Sequence, residues 1–425
     1  MTRTALTHAT IVTVDADDSV IDDGTIMITG DTITDVLPAG HGPLSDVDRV
    51  VDAQGGIVMP GLINAHTHLA MTPFRGFADD VDLQAFLAAL FPAEAAIMSE
   101  RHVRVGARAA FLEALLSGTT AALDMYWFPE SCAAESRAAG FRLQNGPIFI
   151  GSEGPDRIAF GERLARAEAT TPHDWIIAHG TYTMDPEQLA AVGELAKRSS
   201  ARFHIHAAEN ASEVEDVTTR YGRRPVELLD DHGLLREGTV LAHAVVLTDA
   251  EIDRIADTGA AIAHCPSSNM KLASGFCRVV DLLEAGVTVG LGTDGPSSSN
   301  DLDMFTAMRL AALVHKGNRL DPTALPASTI LRMATMGSAR ALGIDHLVGS
   351  IEVGKRADLA RLDPDSPSLV PSYDPASSIV YAASRADVVD VWVDGAQVVQ
   401  DRHCLTIDKT AALRDLRAEA IAIIG

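Results

Sequence analysis

Basic residues are scarce in this chain: 34 Lys and Arg stand against 58 Asp and Glu, a formal charge of −24. So acidic a surface repels phosphate backbones and anionic headgroups, so neither nucleic acid nor a membrane is expected as a partner. The excess of acid reads as solubility or adaptation to salt. Cysteine is nearly as rare. Cys132, Cys265, Cys277 and Cys404 lie far apart with no CxxC pair, which argues against a disulfide framework and against a cysteine-rich metal site. Long apolar runs are missing too, since no stretch approaches the roughly 18–20 residues that span a bilayer. The opening residues MTRTALTHATIVTVDADD lack the basic-then-apolar order of a signal peptide. The expectation is a cytoplasmic protein with reduced thiols. Several catalytic signatures are also absent: no GxGxxG follows a strand, and there is no P-loop, no GxSxG elbow and no HxE with PCxxC.

What is present is a chain of 425 residues, 47% of them hydrophobic. That length suits one large barrel with an accessory domain, or two to three ordinary domains. The first 56 residues alternate short β-type runs with turn signals, as in TALTHATIVTV, DADDS and GTIMITGDTITDVLPAG. The same texture returns in ADLARLD, SSIVYAAS and VVDVWVDGAQVV, before a closing helix from about Lys409 to Ile423. Two β-rich ends point to one domain assembled from both termini.

Between the ends, apolar runs of about five residues alternate with helical stretches, the pattern of a parallel sheet. Eight runs are present, at 56–63, 119–124, 146–151, 175–179, 202–206, 239–243, 260–264 and 287–294. Eight parallel strands with intervening helices make a TIM barrel, an α/β fold. RHVRVGARAAFLEALLSG has helical periodicity and a glycine at its end, and DPEQLAAVGELAKRSS opens with a capping Asp185 and Pro186 at a first helical position. The connection from 64 to 98 reads as a long loop, of the kind that often covers a substrate.

Chemistry collects where the runs end, and the active sites of such barrels lie at the C-terminal ends of the strands. His66 and His68 are two apart, so on a strand they share a face and can point at one ion. Taken alone, an HxH pair is a weak signal, because strand-end histidines are often only hydrogen-bonded. FHIHAAEN offers His204 and His206, again on one face. His206 is nearer the strand end, and His204 reads as a satisfied interior histidine. Glu209, three residues on, is close enough to exchange protons with water at such a site, or is an ordinary carboxylate at a helix N-terminus. Asp294, between glycines, is either a metal-binding carboxylate or an Asp-Gly turn residue. His243 and His264 end two further runs. They polarise a substrate atom, support the ligands from behind, or are core histidines. Nitrogen ligands with one carboxylate suit zinc, and also iron or manganese. Such a metal lowers the pKa of bound water to about 7, the chemistry of hydrolysis.

The segments MPGLINAHTHLAMTPFRGFADD, GTTAALDMY, HIHAAEN, VLAHAVVL, HCPSSNMKL, GTDGPSSSNDLDMF and GSIEVGKRADLARLD follow in this order along nearly the whole chain. They resemble the amidohydrolase superfamily, in its branch of methylthioadenosine and S-adenosylhomocysteine deaminases and triazine hydrolases. The resemblance implies a distorted TIM barrel over 57–345 with a β-sandwich made from 1–56 and 346–425, the last part carrying the C-terminal helix. It implies one metal, zinc foremost, held by His66, His68, His206 and Asp294. Relatives with two metals use a modified lysine where this chain has His179. It further implies that Glu209 shuttles protons, His243 polarises the attacked or leaving atom, and Asp294 takes a proton from water. Glu94 in FPAE matches a ribose-binding glutamate, and His179 in HGTYTM matches a substrate-contacting histidine. Arg163 is a loose match to one of two arginines that hold the substrate's tail, and the other has no counterpart. The implied reaction is deamination of an amino-substituted N-heterocycle such as a purine nucleoside, with release of ammonia. The competing readings are triazine dechlorination or dealkylamination, amide or urea hydrolysis, and, remotely, a non-enzymatic assembly protein on the same fold. Family habit implies a homo-oligomer, a dimer or tetramer.

Overall fold

The computed structural model describes residues 1–40 and 46–424. The central unit is a distorted TIM barrel of parallel strands. Its first strand is Leu62–Thr67, its second Thr119–Asp124, and its fourth to eighth are Trp175–Gly180, Arg202–Ala207, Thr239–His243, Ala261–His264 and Val289–Leu291. The first apolar run, expected as a single strand over 56–63, is in fact divided. Ile57–Pro60 pairs with the sheet of the chain ends, and the barrel strand starts after Gly61 and runs on toward His66 and His68. An added Cβ at Gly61 would overlap the Thr120 side chain at 2.2 Å, so the crossing between the two sheets needs a glycine there.

The third strand is broken as well. Arg142–Gln144 pairs with the second strand, whereas Ile148–Phe149 pairs with the fourth. Pro147 between them has no N–H to donate to a ladder, and Gly146 packs against the Trp175 carbonyl, where a Cβ would come within 2.1 Å. The barrel closes between its last and first strands through the Asp294 N–H donating to the His66 carbonyl (3.1 Å), the Asn64 amide to Thr293 Oγ1 (2.7 Å), and the Thr293 N–H to Asn64 Oδ1 (3.1 Å). The closure therefore seats Asp294 beside His66.

Both chain ends build one nine-stranded sheet in which Leu359–Leu362 and Arg3–Val12 flank Ile57–Pro60. The sheet reaches past the boundary expected at residue 56. It curls until its turns meet, Gly395 lying against the Gly30 carbonyl, around a separate apolar core that includes Leu6, Ile11, Ile26, Ile33, Leu359 and Trp392. The C-terminal helix spans Lys409–Ile424. No helix of the described residues is long and apolar enough to cross a membrane.

Helices form at Glu100–Leu116 and Pro186–Ser199, the second capped by Asp185, as their sequence signals require. The segment 64–98 differs from the expected loop. It holds a short 3₁₀ stretch, Leu69–Phe74, and a fifteen-residue helix, Leu83–Ile97, whose cap Asp82 accepts the Ala85 N–H. Pro92 inside this helix hides it from a reading based on breakers.

Candidate metal centre and substrate cavity

The side chains of His66, His68, His206 and Asp294 converge at the C-terminal mouth of the barrel, each buried, with their ligand atoms within 4.8 Å of one another. His66 Nε2 is 3.1 Å from His206 Nε2 and 3.2 Å from Asp294 Oδ1, and His68 Nε2 is 3.1 Å from the same oxygen. Ligands bound at about 2.1 Å to a common centre lie roughly 3.0–3.4 Å apart, so this spacing fits one small cation.

Tautomers make the same point. The His68 Nδ1–H donates to the Met125 carbonyl (2.6 Å), and the His206 Nδ1–H to the His179 carbonyl (2.5 Å). His204 Nδ1–H donates to the Val240 carbonyl (2.9 Å), leaving its Nε2 to accept the His66 Nδ1–H at 2.8 Å. All three rings thus turn Nε2 toward one another and toward a carboxylate oxygen. Burial works to lower the His68 imidazole, but Asp294 outweighs it and raises it, so a positive charge, proton or cation, is favoured among these atoms, and this is how second-layer partners orient metal-binding histidines. His204 is the satisfied interior histidine expected of it, and it also sets the His66 tautomer. The Ser298 hydroxyl donates to Asp294 Oδ2 (2.6 Å), fixing the other carboxylate oxygen.

Three strand ends carry left-handed backbone at non-glycine residues: Ala208 (φ 53°), His243 (φ 72°) and Asp294 (φ 62°). Strain of this kind gathers where the surrounding structure must aim a side chain. Glu209, buried just after Ala208, brings Oε1 to 3.9 Å from His243 Nε2. Burial pushes the Glu209 carboxyl above its ordinary value, a shift favourable to a proton carrier. Burial works to lower His243, yet the Glu209 and Asp294 carboxylates outweigh it and raise the imidazole. His243 Nδ1 meets Asn269 Oδ1 at 2.9 Å.

Over the cluster lies a cavity of about 550 Å³, mouth included. The helix Leu83–Ile97 supplies one wall through Leu83, Phe86, Leu90, Phe91 and Glu94. Glu94 and His179 both line the cavity. Tyr126 Oη donates to Glu94 Oε1 at 2.6 Å, while burial pushes the Glu94 carboxyl up to about 7. Burial likewise lowers His179 to about 3, so it presents a neutral ring.

Two expected residues are elsewhere. Arg163 does not line the cavity. Asp156 takes its guanidinium in a two-pronged ion pair (2.9 and 2.5 Å), and the Arg163 Cζ sits over the Trp127 ring, 4.9 Å from the centroid. His264 points away from the cluster to His315, Nε2 to Nε2 at 3.2 Å, and is a buried core histidine rather than a support for the ligands. Tyr126, Asn269 and Ser298 were not singled out from sequence, although each lies inside a segment, GTTAALDMY, HCPSSNMKL or GTDGPSSSN, that carried the resemblance.

Residues 57–398 match the model of the amidohydrolase family. The chain belongs to that family. Among curated relatives, a 5-methylthioadenosine/S-adenosylhomocysteine deaminase of Syntrophobacter fumaroxidans is 41% identical over 97% of this chain and 96% of its own. Among solved structures, an adenosine deaminase from Xanthomonas campestris with bound zinc superposes with a TM-score of 0.94 at 36% identity, covering 99% of this chain and 98% of that one. An atrazine chlorohydrolase from Arthrobacter aurescens complexed with zinc gives 0.90 at 26% identity, covering 98% and 100%.

Proposed function

We propose that this chain is a zinc aminohydrolase, one ion per chain, that deaminates the purine of an adenosine-type nucleoside bearing a small uncharged 5′ substituent. The observation that carries the nucleoside is Glu94. A buried carboxylate facing the cavity, with one oxygen already hydrogen-bonded by Tyr126, needs further donors from the ligand, and the vicinal hydroxyls of a ribose supply two. A chlorotriazine offers single N–H donors on its alkylamino groups but no vicinal pair of hydroxyls for that acceptor. The charged side chains of the lining are Glu94, Glu209 and Asp294, with no Lys or Arg among them, and Arg163 is engaged by Asp156. A carboxylate or phosphate on the 5′ side would therefore meet no cation. The similarity to deaminases acting on adenosine derivatives supports the same reading.

In the reaction, water adds its oxygen to the ring carbon that bears the amine, and ammonia leaves. A zinc ion held by His66, His68, His206 and Asp294 would make water nucleophilic at neutral pH. Glu209, raised by burial, carries protons to the adjacent ring nitrogen and then to the departing amine. His243, which burial lowers but the Glu209 and Asp294 carboxylates raise, donates its Nδ1–H to Asn269 Oδ1 and, as the imidazolium, donates from Nε2 toward the attacking oxygen. Glu94 and His179 hold the nucleoside so that its base lies over the cluster. Zinc-loaded protein is expected to release ammonia from 5′-methylthioadenosine faster than from S-adenosylhomocysteine or adenosine monophosphate. No ammonia from any adenosine, purine, pterin or aminotriazine would sink the deaminase, and chloride or alkylamine release from chlorotriazines without ammonia would favour the triazine reading. A dimer or tetramer in solution belongs to the same proposal, and light scattering tests it.

A further inference from the structure

Glu213 is a buried carboxylate that none of the roles above uses. It lies in the first turn of the helix Ala211–Tyr221, whose cap Asn210 already accepts the Glu213 N–H at 2.8 Å. In an ordinary capping box the glutamate at this position takes the N–H of the cap residue itself. Here it reaches past the cap. Its Oε2 accepts the Glu209 N–H at 2.6 Å, while Oε1 accepts the Ala208 N–H at 3.2 Å and the Thr181 hydroxyl at 2.7 Å. Ala208 and Glu209 form the left-handed turn that follows the fifth barrel strand, and Thr181 follows the fourth, one residue beyond Gly180. One carboxylate therefore joins the ends of two neighbouring strands at the residue whose side chain must reach the reacting atoms. Burial pushes Glu213 up to about 7 in spite of its three donors, a cost that a helix cap alone would not require.

We infer that Glu213 is a positioning residue for Glu209: it clamps the Ala208–Glu209 turn to Thr181 and so fixes the Glu209 carboxylate beside His243 above the metal cluster. The inference rests on the proposal that Glu209 is the proton carrier. The Val245 and Val246 N–H groups hold the Ala208 carbonyl (2.9 Å each), and Glu213 holds the Glu209 N–H on the other side of the same peptide. Releasing that N–H lets the peptide tilt, and misplacement of a reacting group by about 1 Å costs on the order of 10²-fold in rate.

The test compares zinc-loaded parent, Glu213→Gln, Thr181→Val, Glu209→Gln and the Glu209→Gln/Glu213→Gln pair, using 5′-methylthioadenosine as substrate. In Glu213→Gln the amide oxygen still accepts from Thr181 and Ala208, but its NH₂ faces the Glu209 N–H. The expected result is unchanged zinc content and KM with kcat lower by about 10- to 100-fold. Thr181→Val should show a smaller loss of the same kind, and it carries the test if Glu213→Gln does not fold. The paired variant should be no slower than Glu209→Gln alone, because the clamp acts only through Glu209. Normal kcat in both Glu213→Gln and Thr181→Val, a loss of activity that tracks loss of zinc, or additive losses in the pair would each overturn the inference while leaving the deaminase intact. Near-parent turnover in Glu209→Gln would instead remove the proton carrier on which it rests.

Discussion

The two walls of the cavity are built differently. On the metal side, the side chains come from the ends of barrel strands, and His66, His68 and His206 each have the second nitrogen engaged, by a backbone carbonyl or by His204, as His243 has by Asn269. On the opposite side, the helix Leu83–Ile97 presents apolar side chains with one acid, Glu94, whose partner in the cavity wall is a single phenol. In the proposed reaction, the chemistry that must hold its geometry falls to the sheet, and selection of the substrate falls to a segment inserted after the first strand. The contrast yields distinct failures for each wall. Damage to the metal wall should abolish turnover, whereas damage to the helix wall should shift KM, specificity and stability.

The largest effects belong to the metal wall, and they separate ligand from proton carrier. His206→Ala removes a ligand whose ring is braced by the His179 carbonyl, and the protein should lose zinc and activity together. Glu209→Gln should keep stoichiometric zinc and lose turnover by about 10²- to 10⁴-fold, the usual contribution of a positioned acid–base group. Metal analysis alongside steady-state kinetics checks both. Zinc loss in Glu209→Gln would mean that the division between ligand and proton carrier is misplaced.

Glu94 links the walls through stability. Its folded carboxyl titrates near 7, against 4.5 for an unperturbed glutamate, because burial disfavours the charged form. For a carboxyl raised in this way the sign runs against the fold. Below pH 4.5 the group is protonated in both states and costs nothing; as pH rises toward 7 the unfolded chain ionises first, and folding loses about 3 kcal/mol by pH 8. Glu94→Gln removes the charge and keeps an oxygen for Tyr126. Metal-free Glu94→Gln should thus be about 3 kcal/mol more stable than the parent at pH 8 and nearly equal to it at pH 4.5. It should also lose affinity for ribosides. Thermal unfolding at the two pH values decides this, and an equal gain at both would show that the buried charge is not the cause.

How much of this was legible in the sequence follows the same division. The barrel was readable because buried parallel strands are short apolar runs at regular spacing, and its strand ends already carried His66, His68, His206, His243 and Asp294. The broken third strand was not, since the pairing of Arg142–Gln144 with one neighbour and of Ile148–Phe149 with the other is a property of three strands together. The helix wall reads from sequence as part of a long connection; Pro92 inside it leaves the Ala88 carbonyl without its helical partner, on an exposed face where water can take its place. Arg163 and His264 were assigned by position along the chain, and their true partners, Asp156 and His315, decide their roles. Tyr126, Asn269 and Glu213 escaped for the converse reason. A single polar residue just beyond a strand end, in a loop or near the start of a helix, has no periodic signature, and its meaning appears only when the acceptor or donor it faces is known.

The smallest expected effect tests the helix wall alone. Phe91 is half-buried, lines the cavity and meets the His179 ring edge-on with centroids 5.6 Å apart. It touches no metal ligand's coordinating atom, so Phe91→Ala should leave zinc content unchanged. Truncation removes apolar contact with the ligand and frees one side of His179, whose backbone carbonyl remains bonded to His206. A loss of about 1–2 kcal/mol in binding is the ordinary size for such a contact, roughly a tenfold rise in KM with kcat little altered. Because Phe91 lines the cavity, the same truncation widens it and should reduce the preference for small 5′ substituents. A fall in kcat with KM preserved would place Phe91 in the chemistry of the metal wall, and the separation of the two walls would then fail at this residue.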